Sequence, residues 1–101
     1  MTCKSYKLFF ETISNDTRLA IIECLQKKEM SVNEICECLD EEQSKISHNL
    51  KKLADCNFID VKQEGKKRIY SVNKDTIVPL MELVRKHVHH FCGQECKRQG
   101  E

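Results

Sequence analysis

Cysteine and histidine side chains form three short clusters in this sequence. The clusters are Cys36-Glu37-Cys38, His87-Val88-His89-His90 and Cys92-Gly93-Gln94-Glu95-Cys96. Thiolates bind soft ions such as As(III), Cd(II), Pb(II) or Zn(II), and two thiols can close into a disulfide on oxidation. Seven cysteines in 101 residues, without an export signal at the N-terminus, are more typical of ligands or redox switches in the cytoplasm than of a disulfide framework.

The spacing within each cluster limits what it can bind. Residues i and i+2 of a regular helix point about 200° apart, so Cys36 and Cys38 share one ion only if the helix end distorts. His87 and His90 lie on one helical face, although a solvated histidine cluster at a helix C-terminus is the simpler interpretation. Cysteine also fills small apolar sites without any chemical role.

A chain of 101 residues with 40% hydrophobic and 33% charged residues predicts one globular domain. No apolar run approaches the roughly 18 residues of a membrane span, and the first residues lack the apolar core of a signal peptide. We therefore expect a cytoplasmic protein. The folded domain is predicted over residues 1–92, followed by a flexible tail over residues 93–101, in which Lys97 and Arg98 favour the reactive thiolate form of Cys96.

Hydrophobic spacing and capping residues predict four helices, a hairpin and a last helix. The predicted elements are a helix over residues 4–13, a second helix after Ser14-Asn15-Asp16, a third opened by the capping box of Ser31 and Glu34, a fourth opened by Asp40 with Gln43, a hairpin over residues 59–72 that turns at Gly65, and a last helix capped by Asn73 or Asp75 and ended by Gly93. This order predicts a mainly α fold with a two-stranded β-wing, the winged helix-turn-helix. The predicted inward side chains of the second, third and fourth helices are Leu19, Ile22, Leu25, Val32, Ile35, Leu39, Ile46, Leu50 and Leu53.

Positive charge is concentrated in the region that such a fold presents to DNA. The segment 43–68 carries seven lysines and arginines and three acids, 7 − 3 = +4, whereas the whole chain carries only +1. The rest of the chain is therefore 1 − 4 = −3, and residues 29–42 contain six acids and no lysine or arginine. This distribution favours a phosphate-binding surface.

The fourth helix carries side chains suited to reading bases, because the N-terminal half of the second helix of a helix-turn-helix enters the major groove. Glutamine can pair with adenine, and serine and lysine can reach base edges or phosphates. The hairpin tip adds three cations that would lie against the phosphate backbone or the minor groove. The predicted DNA-binding residues are Gln43, Ser44, Lys45, Ser47, His48, Lys51, Lys66, Lys67 and Arg68.

The first and last helices have apolar faces that the core of a single domain does not need. Two such faces predict a homodimer, which also suits a palindromic DNA site because two reading helices then lie one helical turn apart. The predicted interface residues are Phe9, Phe10, Leu80, Val84 and Val88.

These motifs together resemble the ArsR/SmtB family of winged-helix repressors. The segments that carry the resemblance are Leu8-Phe9 with Ile13 to Leu19, Ser31 to Ile35, Gln43 to Leu53, and Gly65 to Tyr70. The resemblance covers about residues 7–91 and implies a dimeric repressor that leaves its operator when an inducer binds. Inducers in the family are metal ions, metalloids, or reactive oxygen and sulfur species.

The resemblance also suggests sensing residues. Cys36 and Cys38 match part of the metal box of the arsenic and cadmium sensors, with Cys3 of the N-terminal arm as a third ligand, although Glu41 stands where the arsenic sensors have a cysteine. The four-ligand zinc site is incomplete because Lys74 and Thr76 replace its first half. Sulfide-responsive members join a cysteine of the second helix to one at the end of the last helix. Cys24 and Cys92 lie close to those places.

We therefore predict a DNA-binding repressor released by a soft ion at Cys36, Cys38 and Cys3. The alternative is a repressor switched by disulfide formation among Cys92, Cys96 and Cys24. A winged helix that binds only proteins is a second alternative, which does not account for the basic wing. No nucleotide loop, catalytic triad or acid/base pair of carboxylates stands out, and we expect neither an enzyme nor an obligatory cofactor.

Overall fold

The computed structural model describes residues 5–92, which form five α-helices and a small antiparallel sheet. The elements are α1 (Tyr6–Ile13), α2 (Asp16–Lys27), β1 (Met30–Ser31), α3 (Val32–Leu39), α4 (Gln43–Asp55), β2 (Ile59–Glu64), β3 (Lys67–Val72) and α5 (Ile77–His87), which continues as a turn of π-helix over Val88–Cys92. The longest of these helices has 13 residues. None of the helices in this range is long and apolar enough to cross a lipid bilayer.

Side-chain caps fix where the second and third helices begin. The Oδ1 of Asn15 accepts a hydrogen bond from the Arg18 amide at 3.1 Å. The Ser31 amide donates to Glu34 Oε1 at 2.9 Å, and the Glu34 amide donates to Ser31 Oγ at 3.3 Å. The predicted capping box is therefore confirmed, and the backbone hydrogen bond from Ser31 holds the pKa of Glu34 below its ordinary value.

The predicted capping signature of the fourth helix is wrong. Asp40 adopts a left-handed conformation, with φ 55° and ψ 52°, and ends α3 by donating its amide to the Cys36 carbonyl. The N-cap of α4 is Glu42, whose side chain makes no capping hydrogen bond. Aspartate tolerates the left-handed region better than most residues, so Asp40 serves as the C-cap of one helix rather than the N-cap of the next.

The wing is a hairpin that continues into a third strand. β2 pairs with β3 from Ile59 opposite Val72 to Glu64 opposite Lys67, and the turn between them holds Gly65 at φ 62°. β1 pairs with the other edge of β3, where Met30 faces Tyr70. The predicted two-stranded wing is thus part of a three-stranded sheet of order β1-β3-β2, because a strand of two residues shows no alternation that a sequence pattern could detect.

The turn that leads into α5 is held by the side chain of Asn73, which lies before the N-cap residue of the helix. The Oδ1 of Asn73 accepts from the amides of Asp75 at 2.9 Å and Thr76 at 3.3 Å. Thr76 is the N-cap of the helix and makes no side-chain capping bond. Asn73, one of the two residues predicted to cap this helix, therefore orders the turn that leads into it, whereas Gly93 lies outside the described residues.

One core joins the helices to the sheet. Phe58 is buried at the start of the wing, and its ring contacts that of Phe9 with centroids 4.9 Å apart, which holds α1 against the domain. The predicted inward residues of α2, α3 and α4 are buried or half-buried. Buried apolar residues are Ile13, Ile21, Ile22, Cys24, Leu25, Met30, Ile35, Ile46, Leu50, Leu53, Phe58, Ile59, Tyr70, Val72 and Ile77.

Candidate nucleic-acid interface and cysteine pair

The two faces of α4 are sharply divided. Ile46, Leu50 and Leu53 are at most 1% exposed and fix the helix to the core. The side chains predicted to read DNA lie on the opposite face, and all six are exposed: Gln43, Ser44, Lys45, Ser47, His48 and Lys51. The helix therefore presents a continuous row of hydrogen-bonding groups to solvent on a rigid support.

Two acids precede this row and contact it. Lys45 Nζ lies 3.1 Å from Glu41 Oε2, and Ser44 Oγ donates to Glu42 Oε1 at 3.3 Å. These contacts hold two of the exposed side chains in place and partly neutralise the charge of Lys45. A phosphate or base edge that binds Lys45 must compete with Glu41.

The tip of the wing is different. Lys66, Lys67 and Arg68 are exposed, and within the described part of the chain no carboxylate lies within 4.0 Å of them. Lower on the hairpin, Lys62 lies 3.3 Å from both Glu64 and Glu29. Hydrogen bonds to these two carboxylates raise the pKa of Lys62. The charge of Lys67 nevertheless helps to lower the pKa of Glu34. The three cations at the tip thus offer to a phosphate backbone positive charge that is not held in a direct ion pair.

A disulfide joins Cys24 of α2 to Cys38 of α3, with the two Cα atoms 7.0 Å apart. Cys24 is buried and Cys38 is exposed, whereas Cys36 is half-buried against the core. The sequence did not suggest this pairing because the two cysteines are 14 residues apart and Cys24 belongs to none of the three clusters. Its only signal was that Cys24 falls on the inward side of α2.

The described residues contain no group of three or more histidine, cysteine, aspartate or glutamate side chains placed to hold a metal ion. Cys3 and Cys96 lie outside them, and Cys92 lies at their edge. His87 and His90 both contact the ring of Phe91, with centroids 4.9 and 4.5 Å apart. Of the three predicted soft-ion ligands, Cys36 and Cys38 belong to the described residues and Cys3 does not.

The predicted dimer residues fall into two groups. Phe10, Val84 and Val88 are 59%, 42% and 39% exposed, as expected for side chains that a partner would cover. Phe9 and Leu80 instead pack partly against the core of their own chain. Five further large apolar side chains of the described residues are also exposed: Tyr6, Leu8, Val61, Leu83 and Phe91.

Comparison with known proteins agrees with this architecture. A helix-turn-helix domain model matches residues 13–62. The chain is 30% identical over 77 residues to a probable mercury resistance operon repressor of Streptomyces lividans, a match that covers 76% of this chain and 62% of that protein. It is 31% identical over 85 residues to an uncharacterised HTH-type transcriptional regulator of Mycobacterium tuberculosis, covering 80% of this chain and 75% of that protein.

Solved structures share the same fold. The crystal structure of M. tuberculosis Rv0081 matches with a TM-score of 0.81 at 26% identity, covering 94% of this chain and 99% of that chain. A homodimeric winged helix-turn-helix DNA-binding domain of Mycobacterium bovis matches with a TM-score of 0.75 at 20% identity, covering 90% and 93%.

The fold and the exposed face of α4 define a DNA-binding transcriptional regulator of the winged helix-turn-helix class. Within that class, the chain belongs to the ArsR family. The relatives named above are a repressor and a transcriptional regulator, and not enzymes. The predicted family and fold class are confirmed.

Proposed function

We propose that this protein is a homodimeric repressor that binds a palindromic operator in double-stranded DNA and leaves it when its cysteines react. The DNA-binding part of the proposal rests on the separation of α4 into a buried apolar face and an exposed polar face. Its apolar side chains anchor it, and its exposed glutamine, serines and lysines have the chemistry of base readers. The wing tip, whose cations form no direct ion pair with the described residues, supplies contacts to phosphate.

Exposed apolar side chains support the homodimer. Phe10 on α1 and Val84 and Leu83 on α5 are 59%, 42% and 63% exposed, and the structural relative from M. bovis is described as homodimeric. Contact between these faces would bury apolar surface that is otherwise in water. Two copies of α4 related by a two-fold axis would then read two half-sites of a palindrome.

A soft ion is the first candidate inducer. Cys38 is exposed and Cys36 is half-buried near the end of α3, only a few residues before α4 begins at Gln43. Thiolates at these positions, with Cys3 as a third ligand, suit As(III), Cd(II), Pb(II) or Zn(II). The S. lividans relative is named for mercury resistance, which also favours a thiophilic ion. Binding there would distort the end of α3 and the turn into the reading helix.

Oxidation is the second candidate, and the bond between Cys24 and Cys38 favours it. Closing this pair removes two electrons and two protons from two thiols. Hydrogen peroxide accepts them and becomes water, or a polysulfide accepts them and releases sulfide. The bond ties the end of α3 to α2 and so fixes the turn over residues 40–42. A switch through Cys92 and Cys96 remains the alternative location.

Soft-ion binding and disulfide formation both require the sulfur atom of Cys38, so each excludes the other. Cys38 cannot ligate an ion while it is bonded to Cys24, so oxidised protein should not respond to soft ions. Reduced protein with a Cys24→Ser substitution should respond to Cd(II) or As(III), whereas Cys36→Ser should not. Hydrogen peroxide should instead release the Cys36→Ser variant and fail to release Cys24→Ser.

The experiment uses a duplex selected from a random pool by the reduced protein, with fluorescence anisotropy to measure release. If Cys24→Ser responds to the soft ion and Cys36→Ser does not, a soft ion is the inducer. If hydrogen peroxide releases Cys36→Ser and not Cys24→Ser, oxidation of Cys24 and Cys38 is the inducing reaction. If a chain ending at Phe91 loses every response while Cys24→Ser and Cys36→Ser keep theirs, the sensor is the tail with Cys92 and Cys96. If no reagent changes the affinity of wild-type protein for the duplex, control by cysteines is wrong even though DNA binding stands.

A further inference from the structure

A hydrogen-bonded pair, the half-buried Arg18 and the buried Asn49, lies behind the reading face of α4. Arg18 Nε donates to Asn49 Oδ1 at 3.0 Å, and Arg18 Nη1 donates to the Thr12 carbonyl at 3.1 Å. Asn49 Nδ2 in turn donates to the Lys45 carbonyl at 2.9 Å. At 7% exposure, Asn49 is the only buried polar side chain in the described part of the chain.

Arg18 is charged, whereas the two groups that accept its hydrogen bonds, the side-chain amide of Asn49 and the carbonyl of Thr12, are neutral. Arg18 is half-buried, and no carboxylate of the described residues lies within 4.0 Å of its guanidinium. All buried side-chain nitrogen and oxygen atoms in that range have hydrogen-bond partners. An apolar residue at position 49 would fill the core without the cost of desolvating polar groups. The pair therefore contributes to orientation more than to stability.

The contacts of Arg18 connect three elements. The Thr12 carbonyl belongs to the last turn of α1, Arg18 itself to the first turn of α2, and Asn49 to the inner face of α4. The planar guanidinium donates in fixed directions, so it holds α4 at a defined angle to α1. Ser47 and His48, on the exposed face, directly precede Asn49 in the sequence.

We infer that Arg18 and Asn49 are positioning residues that set the sequence specificity of DNA reading without contacting DNA. The inference rests on the proposed dimeric reading of a duplex. In such a dimer α1 lies at the interface, and the angle between α1 and α4 fixes the separation and tilt of the two reading helices. A change in that angle misaligns both helices with their half-sites while leaving the wing tips free to bind phosphate.

Three variants separate positioning from simple stabilisation. Arg18→Leu leaves the buried Asn49 without its partner, and Asn49→Leu does the same to the half-buried Arg18, so each should lower the melting temperature. The double variant Arg18→Leu/Asn49→Leu removes both partners and should regain most of that loss. All three should reduce the ratio of affinities for the selected duplex and for a scrambled duplex about tenfold, the size expected for a weakened base contact. Affinity for the scrambled duplex should not change.

The double variant distinguishes a positioning role from a stabilising role of the pair. If it sediments as a dimer, melts near the wild-type temperature and keeps the full affinity ratio, the pair is structural and the inference is wrong. Arg18→Lys provides a second test in case a leucine variant does not fold, because a single ammonium group cannot reproduce the two directed bonds. It too should lower the ratio, and an unchanged ratio contradicts the inference. A wild-type protein that does not distinguish the two duplexes would instead refute the proposed DNA reading itself.

Discussion

The wing tip and the start of α4 carry cations in opposite settings. Lys66, Lys67 and Arg68 are exposed and have no acidic neighbour within 4.0 Å among the described residues. Lys45, by contrast, lies 3.1 Å from Glu41. A cation without an ion-pair partner attracts any phosphate backbone. A cation that is already paired adds little binding free energy when it contacts phosphate alone. Under the proposed function, this difference predicts that the wing supplies affinity and that α4 supplies selection among sequences.

This division follows from what each region must do. Contacts to phosphate are independent of sequence and need only accessible charge. Contacts to base edges need side chains held in defined positions, which the buried face of α4 and the Arg18–Asn49 pair provide. A reading helix with abundant free charge would bind all DNA strongly and discriminate poorly.

The largest effect is expected from Val84→Glu. Val84 is 42% exposed on α5, and a glutamate there would place two like charges near the axis of the proposed dimer. The variant should sediment as a monomer and bind its operator at least about 100-fold more weakly, since one reading helix and one wing are removed together. Val84→Thr keeps the shape without the charge and should remain dimeric. A dimeric Val84→Glu protein would mean that the interface lies elsewhere.

Substitutions on α4 should affect selection. Ser47→Ala or Gln43→Ala should weaken binding to the selected duplex by about 1–3 kcal/mol for each base that is no longer hydrogen-bonded. Binding to a scrambled duplex should stay unchanged, because these side chains are not cationic. Competition between the two duplexes measures this directly. Equal losses of affinity on both duplexes would assign these residues to phosphate.

A smaller and uniform effect is expected at the wing. Lys67→Ala should lower affinity for both duplexes by the same factor. It should also reduce the slope of log K against log salt by about 0.9 for each phosphate that the protein no longer neutralises. Titrations between low and moderate salt measure the slope. A weakening confined to the selected duplex would place Lys67 among the base readers.

The smallest effect, and one of opposite sign, is expected from Glu41→Gln. Removing the partner of Lys45 frees its charge, so affinity should rise for both duplexes by at most about 1 kcal/mol, as is typical of exposed ion pairs. Glu37→Gln removes the same charge from an exposed position on α3 for which no ion pair is found within the described residues. If the two variants gain equally, the change reflects net charge and not release of Lys45.

Local patterns predicted most of this fold. The capping box of Ser31 and Glu34 and the buried spacing of Ile46, Leu50 and Leu53 depend on residues three or four apart, and the structure confirms them. The wing followed from the change to alternating residues around Gly65. Asp40 was misassigned because an aspartate between two helices can end the first or begin the second, and only the backbone angle decides.

The candidate site was less predictable where it depends on tertiary contacts. The exposed row on α4 follows from helical spacing alone. The Cys24–Cys38 bond and the Arg18–Asn49 hydrogen bond join residues 14 and 31 positions apart, and no local pattern marks them. Asn49 in particular looks like one more polar residue of α4 until the structure shows it buried.

The most direct test of the division between wing and reading helix replaces Lys66, Lys67 and Arg68 together with glutamine. The measured quantity is the ratio of affinities for the selected and the scrambled duplex, determined across a range of salt concentrations. The triple variant should bind both duplexes more weakly, with a much reduced salt slope, and should keep the wild-type ratio. A collapsed ratio would contradict the account, because it would show that the wing and not α4 reads the sequence.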